Sequence, residues 1–519
     1  MPKKPSPLSL KQYALSEVSM HCELICYGMK KGSKELAKYI HEEHYNSIEG
    51  PFVDWPSSLL EELAMKIYNK RSGHKHLLHL VIQPHISSFK IQLHGSTHTA
   101  MEMLKDRCKK GLKSLELIHN QNVPPHFYYE FFNHFKNLTK LNVYGSMVDD
   151  VGFRAIGEQC SKLIELNAGA TWISNTGIKY LCLNEDLIPM ICNQYRLPQL
   201  AIIDLSDTRV TPEGLSLLMA CHPNLVKIEH KETFHAFQFV QQQYDPDYKF
   251  VLKYLSTIDC NLRAERYEYV LDHCPRAESV TITSTGLSNE NLYKLMTVKN
   301  LTHLHLGNKN APNTFNFYEG VAPVLDAVGV NLKKLVLEDF GEVDVDYIGD
   351  KCANLQHLAL SGILTYAPIG QLNPKYFTKL TSLELWNKMD HELAICHNTL
   401  KQLLFRSPLT YILLQRIGNL TDEVFADILK INPLLTLRNA VIDYCHNITG
   451  RLFWMLLEQP NCLSVLRCWH CKGVTEQDKL DIKACIRDDN LLLYWEWYPY
   501  IEYEELLEAG LIPSEDEED

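Results

Sequence analysis

Short segments with apolar residues at every second position alternate along this chain with longer segments whose apolar residues fall three and four apart. The short segments read Leu-x-x-Leu-x-hydrophobic, as in Leu112–Leu117, Leu138–Val143, Leu163–Ala168, Leu200–Leu205 and Leu225–Ile228. The series continues at Ala277–Ile282, Leu301–Leu306, Leu332–Leu337, Leu355–Leu360, Leu380–Leu385 and Leu409–Leu414, with weaker copies near Leu435 and Leu463. A period of two predicts strands with one buried face. The stretches between them, such as 149–156 and 211–218, open on Asp or Thr and then follow a helical period, so each predicts a capped helix.

The segment starts differ by 26, 25, 37, 25, 52, 24, 31, 23, 25 and 29 residues, and the interval of 52 reads as two units with one degenerate copy. Divided by a typical domain size, 519 residues would give three or four globules. A unit of about 25 residues with one strand and one helix instead predicts an α/β leucine-rich-repeat solenoid over residues 85–485, with about thirteen repeats. Cys108, Cys160, Cys221, Cys274 and Cys352 each stand three or four residues before the next strand's first apolar position, at a helix end where a small apolar side chain packs. Burial, not redox chemistry, is the expectation for them.

This cysteine spacing, together with Val148–Phe153, Ile173–Ile178 and Val210–Leu215, resembles the cysteine-containing leucine-rich repeats of ubiquitin-ligase substrate receptors. The non-repeating residues 1–84 extend the resemblance. Leu10, Ala14 and Val18 lie at i, i+4 and i+8 of a helix beginning after Pro7, similar to an elongin-binding box with Ala14 in place of the usual Cys. Trp55-Pro56 followed by Leu59, Leu63 and Ile67 looks like a cullin box with Trp55 in place of Leu; the same residues fit the opening of an F-box. The order of the two boxes ahead of the repeats resembles the zyg-eleven-related and zer-one-related receptors. That resemblance implies a non-catalytic subunit with elongin B/C and cullin-2 as partners, or Skp and its cullin on the F-box reading, and a protein substrate. Those relatives carry an armadillo-like array after the repeats, whereas leucine periodicity here runs to about residue 485. Without the resemblance, both helices read as caps on the exposed end of a repeat array.

Composition narrows the alternatives. Asp and Glu outnumber Lys and Arg by 63 to 51, a formal charge of −12 with no long basic stretch, so nucleic acid is not an expected partner. The start has no apolar h-region, and the longest apolar runs, such as residues 77–82, fall short of the ~20 needed to span a bilayer. A soluble, cytoplasmic and/or nuclear protein is expected, with its sixteen cysteines reduced and its sequons at Asn137, Asn300, Asn419 and Asn447 unglycosylated.

No phosphate loop, nucleophile elbow or His-Glu-x-x-His pair is present, and neither catalysis nor a cofactor is expected. Cys468 and Cys471 lack a second pair at zinc spacing and read as packing residues; the 23 histidines read as surface or strand residues. The strand positions between the leucines are then the candidate substrate contacts: Asn142, Tyr144, Asp204, His303, His305, His357 and Trp386, flanked by Lys140, Glu165, Asn167, Lys227, Glu229, Lys334, Glu338 and Glu384. Tyr144 and Trp386 are the expected anchors. Residues 486–512 form an aromatic segment expected to cover the last open strand, and 513–519 an acidic tail.

Overall fold

A computed structural model describes residues 10–27, 51–68, 78–91, 97–183, 196–240, 249–257, 262–283, 286–308, 315–387 and 395–500. Two compact units divide the chain, one of residues 7–257 with 272–277 and the other of residues 258–271 and 278–519 with 1–6. Within each unit the strands are parallel and neighbour one another in chain order, with a helix or turn between successive strands. The repeating strand-turn-helix unit is a leucine-rich repeat.

In the first unit the helices α1 (Leu10–Met20), α2 (Cys22–Tyr27) and α3 (Ser57–Tyr68) precede β1 (Ser88–Ile91), β2 (Ser114–Leu117), β3 (Lys140–Asn142), β4 (Glu165–Asn167), β5 (Ile202–Asp204), β6 (Lys227–Glu229) and β7 (Tyr254–Thr257). The second unit carries β8 (Ser279–Thr283), β9 (His303–Gly307), β10 (Lys334–Glu338), β11 (His357–Ser361), β12 (Ser382–Trp386), β13 (Tyr411–Gln415), β14 (Asn439–Asp443), β15 (Val465–Trp469) and β16 (Tyr494–Tyr498). Strand leucines such as Leu115, Leu166, Leu304, Leu358 and Leu385 are buried against the helices, each burial contributing about 1.5–3 kcal/mol.

Within the long ladder of described strands, three lie outside the thirteen copies seen in the sequence: β1, β7 and β16. The degenerate copy inside the interval of 52 residues is β7, whose buried Leu252 and Leu255 keep the Leu-x-x-Leu spacing while Thr257 stands at the third, usually apolar, position. The aromatic segment covers the edge of β15 by joining the ladder as a further strand: Trp495 and Trp497 of β16 stand opposite Leu466 and Cys468 of β15, so the two indoles occupy leucine positions and the ladder continues past residue 485. The acidic tail lies outside the described residues.

Polar side chains lock one repeat to the next. Asp149 accepts from the backbone N–H of Val151 and Gly152 to cap its helix, while its neighbour Asp150 accepts from Ser174 N and Oγ, the cap of the following helix, at 2.8 and 2.7 Å. Asp422 does the same for Thr449, and Asn175 for Thr211 N at 2.9 Å. The glycine of the motif follows from this relay, because a Cβ on Gly177 would lie 2.5 Å from Asp150 Oδ1. The sequons belong to a similar ladder: Asn137 donates to Lys110 O at 3.0 Å, Thr139 to Lys113 O at 3.0 Å and Thr302 to Glu278 O at 3.0 Å.

The helix-end cysteines join the same scaffold. The Cys108 and Cys160 thiols donate to Gln83 O and Phe135 O, one repeat back, at 3.2 and 3.4 Å. Burial pushes the thiols of Cys108, Cys160 and Cys352 up to about 12, and that of Cys274 upward as well. Cys396 differs: it is exposed at the start of helix His397–Leu404, and although partial burial opposes ionisation, hydrogen bonds from Thr399 hold its thiol below the usual value. Because the thiolate is the reacting species, maleimide labelling of the native protein followed by peptide mapping is expected to modify Cys396 well before these four. Equal labelling of Cys160 would contradict the packing.

Candidate functional site

The two adaptor-like segments sit against each other with different exposures. Helix α3 turns its apolar side inward, with Leu60, Leu63, Ala64 and Ile67 buried, and its polar side against the first strand: Glu61 Oε1 accepts from Ser57 Oγ at 2.6 Å, Ser88 N at 2.9 Å and Ser87 Oγ at 3.2 Å. This segment therefore caps the edge of β1. Pro56 is exposed, while Trp55, packed edge-on against Phe52 at 4.9 Å, and Leu59 are half-buried. Leu63 corrects the sequence reading of a free contact stripe, since it is covered by the chain's own core together with Ile67. The i, i+4, i+8 spacing that suggests a docking face is here the spacing of a core-facing helix.

Helix α1 keeps the other arrangement. Lys11 pairs with Glu62 of α3 and Leu15 and Ser19 are buried, so one side of α1 is held. Leu10 is 85% exposed, Ala14 is exposed and Val18 is half-buried. Tyr13, Met20, Leu24 and Ile25 are exposed too, and the Ile25 N–H bonds to His21 O across the joint between α1 and α2. Sequence reasoning stopped at Val18 and missed this continuation; apolar residues three and four apart through Ile25 were its available signal.

The strand faces hold the candidate substrate contacts. In the first unit a groove of about 280 Å³ is lined by Lys140, Asn142, Glu165, Asp204, Lys227 and Glu229 among others. Parallel register places Asn142, Asn167, Asp204 and Glu229 in one row across β3 to β6. Ion pairs balance the groove, Lys140 with Glu165 and Lys227 with Glu229, each at 2.7 Å. Asn142 and Asp204 also have internal work. Their Oδ1 atoms accept from Tyr144 N at 3.0 Å and Ser206 N at 2.9 Å, and Asn167 does the same for Gly169, so the row turns the chain out of the strand as well as facing the groove. Tyr144 is half-buried, beyond the strand and edge-on to His119 at 5.4 Å.

In the second unit His303, Lys334 and His357 are consecutive in one row across β9, β10 and β11. Burial holds the His357 imidazole down to about 4, with Lys334 and His303 adding to the effect, and His303 is lowered for the same chief reason. Burial raises the carboxyl of Glu384, which lies 3.7 Å from His357. His305 meets Glu338 at 3.1 Å. Trp386 is half-buried at the end of β12, opposite Ser361.

The sequence reading missed a cation and aromatic column on the turns after β13, β14 and β15, continued by Tyr498 at the end of β16. The Arg416 guanidinium lies 4.1 Å over Tyr444, Tyr444 stacks on His470 at 4.5 Å, and His470 faces Tyr498 at 6.4 Å. Arg416, Tyr444 and His470 all have positive φ, at the second residue after the last inward strand position. Cys445, Cys468 and Cys471 are buried beneath, and the bond to Cys471 together with burial pushes the Cys468 thiol far up, as packing requires. Among the described residues no three His, Cys, Asp or Glu side chains are grouped to hold a metal ion, and no helix is long and apolar enough to cross a membrane.

No protein-family profile and no curated protein sequence matches the chain. Similar solved structures include the Rad7 and Elc1 complex from yeast, at TM-score 0.43 and 14% identity over 91% of this chain and 96% of that chain. A leucine-rich-repeat protein of Leptospira interrogans has TM-score 0.35 and 13% identity over 83% and 93% of the two chains. An internalin of Listeria monocytogenes has TM-score 0.33 and 11% identity over 76% and 88%.

Proposed function

We propose that this protein is a non-catalytic substrate-recognition subunit of a cullin-RING ubiquitin ligase, in which α1 docks an elongin-type adaptor and the strand faces bind a target protein. The observation that carries the reading is the division of α1: Leu15 and Lys11 fix one side to the body of the protein, while Leu10, Tyr13 and Ala14 stand exposed on the other. An apolar helical row in solvent costs free energy unless a partner covers it, and helix-in-groove docking uses this spacing. Ala14 fits the small position of the box. The cullin-box and F-box readings draw on the same Leu59, Leu63 and Ile67, two of which are already in the core, so the elongin reading stands on α1, which the F-box reading does not use.

Catalysis would come from a transfer enzyme brought close to the bound target, a proximity effect that asks no acid, base or nucleophile of this chain. Target binding would fall to rows rich in paired charges, with half-buried aromatics such as Tyr144 and Trp386 as anchors. Affinity purification of the full chain tests the reading. Recovery of elongin B/C and cullin-2 is expected, reduced at least tenfold by Leu10→Asp, which removes an 85% exposed side chain and should leave the melting temperature unchanged. Recovery of Skp instead, or of elongins undiminished by Leu10→Asp, would defeat it.

A further inference from the structure

β16 has one paired edge: it bonds to β15, and among the described residues no strand pairs with its other side. Helix Glu476–Asp488 runs beside it, and the two enclose an open groove of about 950 Å³. Lys479, Lys483 and Arg487 line it from the helix at i, i+4 and i+8, against a single lining carboxylate, Glu496, which Arg467 engages at 2.8 Å. Lys479 and Arg487 also touch Glu476 and Asp488, but through exposed surface pairs of small worth. On the strand, Tyr494 and Tyr498 are 55% and 51% exposed, and Leu480 and Leu492 are exposed beside them. An apolar edge strand open to solvent is a liability that proteins normally pair, cover or blunt with charge.

We infer that this groove binds an extended acidic-apolar peptide strand of another protein, which pairs its backbone with the edge of β16 that faces away from β15. Two dimensions match. Successive cations on the helix are four residues apart, a rise of about 6.0 Å, while alternate residues of a strand are about 6.6–6.8 Å apart. Carboxylates at every second position therefore meet Lys479, Lys483 and Arg487 in turn. The intervening apolar side chains face the other way, over Tyr494 and Tyr498, as cross-strand pairs.

The chain's own residues after Tyr500 are acidic too, yet they suit this place poorly. Pro499–Glu505 holds no Asn-Gly or Asp-Gly turn for an immediate antiparallel return. A parallel return needs a crossover of about a dozen residues; counted from Tyr498 that would bring up Leu511–Asp519, whose apolar side chains Leu511, Ile512 and Pro513 are consecutive and do not alternate with the acids that follow.

Fluorescence anisotropy of the full chain with a labelled synthetic peptide alternating glutamate and leucine tests the assignment. Saturable binding is expected, weakened tenfold or more by Lys483→Glu with Arg487→Glu and by high salt, with no binding of the corresponding lysine-leucine peptide. Both substitutions are on the solvent side of a helix, and an unchanged melting temperature checks that the fold survives them. Equal affinity for the two peptides, or undiminished binding by the charge-reversed protein, overturns the proposal. So does absence of binding, whether the groove is bare, filled by residues 501–519 or closed by a second copy of the chain; size-exclusion mass and a chain truncated after Tyr500 tell these apart.

Discussion

Gly157→Ala is expected to destabilise the first unit by about 2 kcal/mol, although replacing glycine inside a helix ordinarily gains up to about 1 kcal/mol. Gly157 is buried in helix Asp150–Gln159, and a Cβ there would lie 2.7 Å from Tyr180 O, 2.8 Å from Leu181 O and 2.9 Å from Leu181 Cα on the helix of the next repeat. All three are backbone atoms, so no rotamer change relieves the contact. The two helices must separate, which loosens the leucines beneath them, and overpacking of this kind costs about 1–3 kcal/mol beyond the lost helix gain. Because each repeat rests on its neighbours, the separation also strains the relay from Asp150 to Ser174. Urea unfolding of the full chain measures the effect, with Gly341→Ala as the control, since nothing lies within 4 Å of a Cβ at Gly341. A Gly157→Ala midpoint equal to wild type would show that the stack is looser than these distances imply.

Gly157 also marks the limit of what the sequence discloses. The repeat period, the strand positions and the burial of Cys108, Cys160 and Cys352 are legible because each is a local pattern repeated many times. The last strand is not, because Trp495 and Trp497 replace the aliphatic residues that define the pattern, although they fill the same inward positions. Helix α3 shows the opposite difficulty. One amphipathic stripe serves a partner or the protein's own core, and only the fold shows that Leu63 and Ile67 face inward. Among the candidate contacts, Asn142 and Asp204 lie in one strand row as their spacing implies, but their turn-forming bonds to Tyr144 and Ser206 depend on a backbone reversal two residues later. The column of Arg416, Tyr444 and His470 is spread over some fifty residues of sequence and becomes a column only through the stacking of repeats.

His222 is neither a surface nor a strand residue but a buried one at a helix end, and its burial makes acid the second large lever on stability. It follows Cys221 at the end of helix Pro212–Cys221, is 4% exposed, and has its Nε2 3.9 Å from the Cys182 thiol. Burial holds its imidazole down to about 4. In the unfolded chain a histidine titrates near 6.5, so between pH 6.5 and 4 the unfolded state binds a proton that the folded state refuses, and stability falls as the pH drops through that window. The full difference corresponds to about 3 kcal/mol, of which about 2 kcal/mol is lost by pH 5 and almost none at pH 7. His357 acts in the same direction in the second unit, by less because its side chain is more open to solvent. Urea midpoints of the wild-type chain and of His222→Gln at pH 7, 6 and 5 separate this contribution from that of the carboxylates, which the two proteins share. The variant is expected to be the less stable at pH 7, through the packing it loses, and to close the gap by about 2 kcal/mol at pH 5. Parallel pH profiles would mean that the folded protein admits the proton, and hence that the helix ends around Cys182 and Cys221 open to water far more readily than their burial indicates.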